Sequence, residues 1–212
     1  MIPMHTVFLM MLMVFAFIGS LRGWAKELIV AFSVILALFI EQVLTTMVPP
    51  IRDLWNALQP MSQFWIRLSV FSIIVLFGYA SPTLSQHLSA KAARERLQDL
   101  LLGFFLGLLN GLLIVGTLWF YVDEAHYGVP PDQVQFQPKL DEQGQPVLDE
   151  QGQPVLEVVY APDAEGVGGI RPPEKDSTAW KMLPYLPPRV IKGPPLYLSI
   201  ALSFAFIIIV FI

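Results

Sequence analysis

The chain has no cysteine among its 212 residues. Disulfide frameworks and thiolate metal sites are therefore excluded, and cysteine usage says nothing about redox compartment. Charge is scarce too: 14% of residues are Asp, Glu, Lys or Arg, against roughly 25% in an ordinary soluble domain. No HExxH, GxSxG, P-loop or GxGxxG run occurs, which removes the commonest hydrolase and nucleotide-binding readings. The three histidines, His5, His87 and His126, fall in separate segments without carboxylates at metal-ligand spacing. An intramembrane aspartyl enzyme would need two Asp within apolar runs, and none lies away from the ends of such a run. An enzymatic role, a metal, a cofactor and a nucleic-acid partner are therefore not expected.

Apolar chain is what the sequence has in excess, at 55% hydrophobic residues. The net charge of −4 averages two unlike regions. Residues 123–195 hold 12 of the 17 acids and 13 of the 18 prolines, with six Lys/Arg. The remainder carries seven Lys/Arg against five acids and is mostly apolar. A soluble fold of this length cannot hide so much apolar surface, so the chain reads as a membrane protein with one polar insert.

A span needs about 20 apolar residues to cross a hydrocarbon core about 30 Å thick. Five segments qualify or nearly so: 4–20, about 28–48, 64–84, 100–122 and 196–212. The first has no Lys or Arg ahead of it and no small-x-small cleavage site before Arg22, so it is expected to be a retained helix rather than a signal peptide. The fifth would be only about 25 Å long, so it either spans thinly or is partly re-entrant. Between spans two and three, VPPIRDLWNALQP places Ile51, Leu54, Trp55 and Leu58 at helical spacing, which predicts a short interfacial helix. SQHLSAKAARERLQD (85–99) predicts a surface helix with Lys91, Arg94 and Arg96 near the headgroups.

In the insert, LDEQGQPV occurs at 140–147 and again unchanged at 148–155. Each copy offers a glycine for a positive-φ turn and a proline that blocks pairing on one side. Either a solvated acidic loop enlarged by duplication or a short meander of edge strands satisfies this pattern. The fold class is all-α: four core transmembrane helices and a C-terminal hydrophobic segment, with room for a short β-hairpin in the polar loop. The expected divisions are a membrane domain at 1–122, the acidic Pro-rich insert at 123–195, and the hydrophobic segment at 196–212.

Three places carry candidate functional residues. The turn after the first span holds Arg22, Gly23, Trp24, Lys26 and Glu27. Arg22 suits the negative end of one helix and Glu27 the positive end of the next, so the turn is either a correctly capped hairpin or a membrane-surface binding site. The fourth span carries Gly103, Gly107 and Gly111 four residues apart, a stripe against which another helix can pack, within the chain or from a second copy. Asn110 in that span is a polar group that needs a partner, and losing its hydrogen bond is expected to cost on the order of 0.6 kcal/mol. Glu41, deep in the second span, is expected near the far interface.

The turn and the glycine helix resemble the colicin V production protein family, CvpA. The resemblance rests on Arg22, Gly23, Trp24, Lys26 and Glu27, and on Asp99-Leu-Leu-Leu-Gly103 running into GFFLGLLNGLLIV. Family members tend to carry Arg just before the last of those glycines, where this chain has Asn110. The likeness covers 1–122 and extends to STAWKMLPYLPP, with the insert and fifth segment as additions. It implies a multi-pass inner-membrane protein linked to colicin V production, its export or envelope upkeep, with no catalytic residue, cofactor or substrate. The alternatives are a small transporter or channel subunit with Asn110 and Glu41 lining a path, and a scaffold that presents the acidic loop to a partner. Expected partners are the lipid bilayer and a membrane protein or second copy.

Orientation follows from basic residues. Arg22, Lys26, Lys91, Arg94 and Arg96 share one side; Arg52, Arg67, Lys181, Arg189 and Lys192 lie on the other. The last three end a loop longer than the roughly 60 residues over which charge governs translocation, so they are discounted. The N-terminus and insert are predicted outside. A Glu150→Cys variant should react with an impermeant maleimide in intact spheroplasts, and labelling only after lysis would reverse the orientation.

Overall fold

The computed structural model describes residues 4–80, 96–141, 143–149 and 151–211. It is mostly helical, and four helices are long and apolar enough to cross a membrane: α1 Met4–Arg22, α2 Trp24–Met47, α4 Pro60–Ala80 and α5 Arg96–Glu124. The short α3, Pro49–Ala57, joins α2 to α4. Three further helices lie towards the C-terminal end, α6 Thr178–Met182 and α7 Pro187–Val190 within the expected insert and the apolar α8, Pro194–Phe211. Helices α2 and α4 begin at Trp24 and Pro60, ahead of the apolar runs at 28 and 64, because their polar first turns are helical as well. The expected surface helix at 85–99 lies outside the described residues up to 95; from Arg96 the chain is already α5.

The chain forms two compact units, 1–121 with 173–212, and 122–172. The expected insert at 123–195 is thus divided, and 173–195 goes with the apolar helices. Helix α2 is the axis of the first unit. Its Val30, Val34, Ala37 and Leu38 bury against Phe71 and Val75 of α4, Leu113, Ile114 and Tyr121 of α5, and Leu196 of α8. Side chains on the other faces, such as Met13 and Phe17 of α1 and Phe77 of α4, remain exposed, as a lipid-facing surface requires. Helix α8 runs antiparallel to α2, since Tyr197 meets Phe39 and Phe206 meets Phe32 edge-on. Its 18 residues extend about 27 Å.

Between α1 and α5 almost no side chain intervenes. A Cβ on Gly19 would lie 2.6 Å from Gly107 Cα, and one on Gly107 would lie 2.9 Å from Gly19 Cα. Gly111 faces Phe15 in the same way, with 2.8 Å between a built Cβ and the Phe15 Cβ. The stripe therefore packs within the chain, on α1. Further along, Gly116 of α5 accommodates the Pro187 ring of α7, and Phe8 of α1 meets Trp119 of α5 at 5.4 Å.

The second unit holds the strands. β1 Val134–Pro138 pairs antiparallel with β2 Leu156–Tyr160, from Val134 opposite Tyr160 to Pro138 opposite Leu156. The ladder flanks the two repeats rather than running through them, with one isolated antiparallel bridge in each, Leu140 with Pro146 and Leu148 with Pro154. Each repeat instead closes on its own aspartate. Asp141 Oδ1 accepts from Gln143 N and Gln145 N, and Asp149 Oδ1 accepts from Gln151 N and Gln153 N, at 2.8–2.9 Å throughout. Gly144 and Gly152, both at φ 77°, make the reversals. At the base, Lys139 N donates to Val155 O, Val155 N to Val147 O and Val147 N to Lys139 O, each at 2.8 Å. Three residues eight apart thus form a closed ring of backbone hydrogen bonds. At the other end of the ladder, burial and the Asp123 carboxylate push the Tyr160 phenol above its ordinary pKa.

The glycine contacts carry a test. Gly107→Leu must push α1 away and should destabilise the protein by about 1–3 kcal/mol, as overpacking does. Leu108→Ala, at a half-buried position, should cost less. Intrinsic helix propensity alone predicts the opposite sign, since Gly is about 1 kcal/mol worse than Ala in a helix interior. Thermal unfolding in detergent compares the two variants; a neutral Gly107→Leu would refute the close contact.

Candidate functional site

Two polar clusters lie in the helical unit, near opposite ends of α2. The first is built on the turn between α1 and α2, where Gly23 alone separates the helices. Its φ of 83° is the reason a glycine is needed there. The N-terminus of α2 has no cap from its own side chains. Asp99, in the first turn of α5, supplies one: its Oδ1 accepts from Trp24 N at 3.1 Å. A Cβ on Gly23 would sit 2.7 Å from that same oxygen, so a side chain there would displace the capping carboxylate. A carboxylate at this end of a helix is also favoured by the helix dipole.

One turn into α2, Glu27 is 1% exposed. Its Oε1 accepts from Arg22 Nη1 at 2.6 Å, and its Oε2 accepts from Asn110 Nδ2 at 2.8 Å. The same Asn110 nitrogen donates to the Glu27 backbone carbonyl at 2.8 Å. Arg22 also stacks 4.3 Å above the Tyr79 ring of α4. One buried carboxylate is thus held by α1 and α5, and its cation by α4. Asn110 Oδ1 has no hydrogen-bond partner among the described residues. The structure brings Arg22, Gly23, Trp24 and Glu27 together with Asn110, while Lys26 stands exposed. Gly103, Gly107 and Gly111 supply the close approach of α5.

The second cluster is centred on Glu41. Arg67 Nε of α4 lies 2.9 Å from its Oε1, and the Tyr121 hydroxyl of α5 donates to its Oε2. The Arg67 guanidinium lies over Trp55, Tyr121 and Phe120 at 5.0–5.8 Å, a favourable setting for a weakly hydrated cation. Next to it, Gln42 Nε2 donates to the Tyr197 hydroxyl at 2.9 Å, and Gln42 Oε1 accepts from Gly193 N at 3.0 Å, which ties α8 to α2. Glu41 and Asn110 therefore belong to different clusters.

Sequence reasoning missed Arg67, Tyr79, Tyr121 and the capping role of Asp99. Two signals were present. Asp99 precedes Gly103 by four residues, on the face of the glycine stripe, and Arg67 is an ionisable group inside an apolar helix, which by itself asks for a partner. No group of three or more His, Asp and Glu suited to a metal ion occurs among the described residues.

The charged acceptor revises the expected cost of losing Asn110. A hydrogen bond to a charged group contributes about 1.5–3 kcal/mol, more than the intramembrane average. Arg22→Gln should be worse, at about 3–5 kcal/mol, because it leaves a buried carboxylate uncompensated. Glu27→Gln should be milder than Arg22→Gln, because Arg22 is 23% exposed and can be hydrated where it stands. Detergent unfolding ranks Asn110→Leu, Arg22→Gln and Glu27→Gln, and the order Glu27→Gln worse than Arg22→Gln would refute this account.

Comparison with known proteins bears on the same residues. The family model described as colicin V production protein matches residues 5–136. The match takes in α2 to α5 whole and ends within β1, beyond the limit of 122 set by the motifs, and it leaves the Trp180 stretch outside. No curated protein and no solved structure matches the chain. Where the family tends to carry arginine, this chain has Asn110, and Arg22 provides the cation beside Glu27. With more than half of its length matched, from the capped turn through the glycine helix, the chain belongs to the colicin V production protein family.

Proposed function

We propose that this protein is a non-enzymatic, multi-pass protein of the inner membrane that supports the production or export of a peptide toxin such as colicin V, and envelope upkeep. The family match over 5–136 carries the proposal. The pairing of the buried carboxylates supports the non-enzymatic part. Glu27 is taken up by Arg22 and Asn110, and Glu41 by Arg67 and Tyr121. Both carboxylates are thereby occupied by contacts between helices of this chain. Partners under this reading are lipid and another membrane protein of the export or envelope machinery.

A second reading, a small transporter or channel subunit, draws on the cavities beside Glu41. Complementation separates the two. In a bacterium that lacks its own family member and carries the colicin V genes, the full chain should restore the halo of growth inhibition. Lys26→Gln should restore it as well, whereas Asp99→Asn, which weakens the cap of α2, should reduce it. Normal membrane insertion without any restoration would sink the proposal. Solute flux in proteoliposomes, abolished by the paired change Glu41→Gln with Arg67→Gln, would favour the transporter.

A further inference from the structure

The Glu41 cluster borders two cavities. One, of about 170 Å³, lies between α2, α3 and α4 and is walled by Leu44, Ile51, Leu58, Ile66 and Val70. The other, of about 510 Å³, lies between α2 and the chain at 188–196, with Gln42, Thr45, Thr46 and Lys192 among its lining. Glu41, Thr45 and Arg67 line both. The first, a slot, is walled almost wholly by apolar groups; the second, a cleft, is mainly apolar as well, with Leu38, Phe120 and Leu196 in its wall, but carries more polar groups.

Charge around the cleft is uneven. Arg67 and Lys192 line it, and Arg189 lies 5.5 Å from the ring of Phe120, another lining residue. Glu41 is the one carboxylate lining either cavity among the described residues. Arg67 Nε approaches Glu41 off the line of a hydrogen bond, and that buried N–H has no acceptor among the described residues. Depth matters as well. Arg67 is the eighth residue of α4 and Glu41 is six residues from the end of α2. Both lie about 10 Å in from the helix ends, and the amphipathic spacing of α3 predicts that it lies at the boundary between headgroups and acyl chains.

We propose that the two cavities together hold one anionic phospholipid. Its phosphate lies in the cleft against Arg67 and Lys192, and the upper part of an acyl chain enters the slot under α3. A free anion would leave the apolar slot unused. A zwitterionic lipid would bring its own cation into a cleft that already has an excess of them. The site lies apart from the turn and glycine motifs, so the proposal does not depend on the role in toxin export.

The full chain, purified and delipidated in detergent, can be offered phosphatidylglycerol or phosphatidylcholine with identical acyl chains, and retained lipid counted by native mass spectrometry. Phosphatidylglycerol should be retained in clear preference. Lys192→Gln should lower its retention about fivefold, the effect expected of one basic residue near anionic lipid. Val70→Trp, which fills the slot, should lower it with the cleft unchanged. Arg67→Gln alone strands Glu41 and can unfold the bundle, so the paired change Glu41→Gln with Arg67→Gln is used, with its melting checked. Equal retention of the two lipids, or retention untouched in both Lys192→Gln and Val70→Trp, overturns the proposal. So does inorganic phosphate stabilising the protein against heat as strongly as phosphatidylglycerol, since the cleft would then be an ion site.

Discussion

The contact between α1 and α5 is made of backbone, and much of the helical unit depends on it. In lipid there is no hydrophobic gain in bringing two helices together, because the acyl chains are as apolar as leucine. Van der Waals contact and hydrogen bonds must do so instead. Gly19 against Gly103 and Gly107 brings the two helix axes closer than side chains would permit. That approach puts Asp99 within reach of Trp24 N and Asn110 within reach of Glu27. Were α5 held one side chain further out, Trp24 N would lose its cap and Glu27 would keep Arg22 alone.

The two polar clusters differ in dryness. Glu27 and Asn110 are essentially sealed, whereas the side chains of Glu41 and Arg67 keep 18% and 13% of their surface. A buried ion pair is often no more stabilising than well-packed apolar residues in its place, and can be about 1–4 kcal/mol worse. What such a pair does impose is discrimination, because every alternative register of the helices would leave a charge in hydrocarbon. The charges here choose among packings of helices that are all equally greasy.

The spans were legible in the sequence because the thickness of the bilayer sets their length. The Arg22–Glu27 turn could be recognised from its charge signs and its glycine, and the stripe from its spacing of four. What could not be read was which helix each polar group would meet. Glu41, Arg67 and Tyr121 lie in three different helices, and periodicity within a helix says nothing of its height or rotation against a neighbour. Glu41 was therefore placed by depth but not by partner. The insert behaved similarly. Its glycine turns were readable, but the ladder at 134–138 and 156–160 depends on a closure between Lys139, Val147 and Val155 that no strand pattern announces.

That closure bears on how the insert could have grown. With one copy of LDEQGQPV, Lys139 and Val147 would face each other as the next pair of the β1–β2 ladder, and the copy would be an ordinary hairpin tip. The second copy enters at that pair and turns the tip into a fork, in which the ring passes each hydrogen bond on to the next branch. Nothing upstream needs to shift, since Pro138 still meets Leu156. Duplication of the eight-residue unit is therefore a conservative change here, because each copy presents the same backbone groups at the junction.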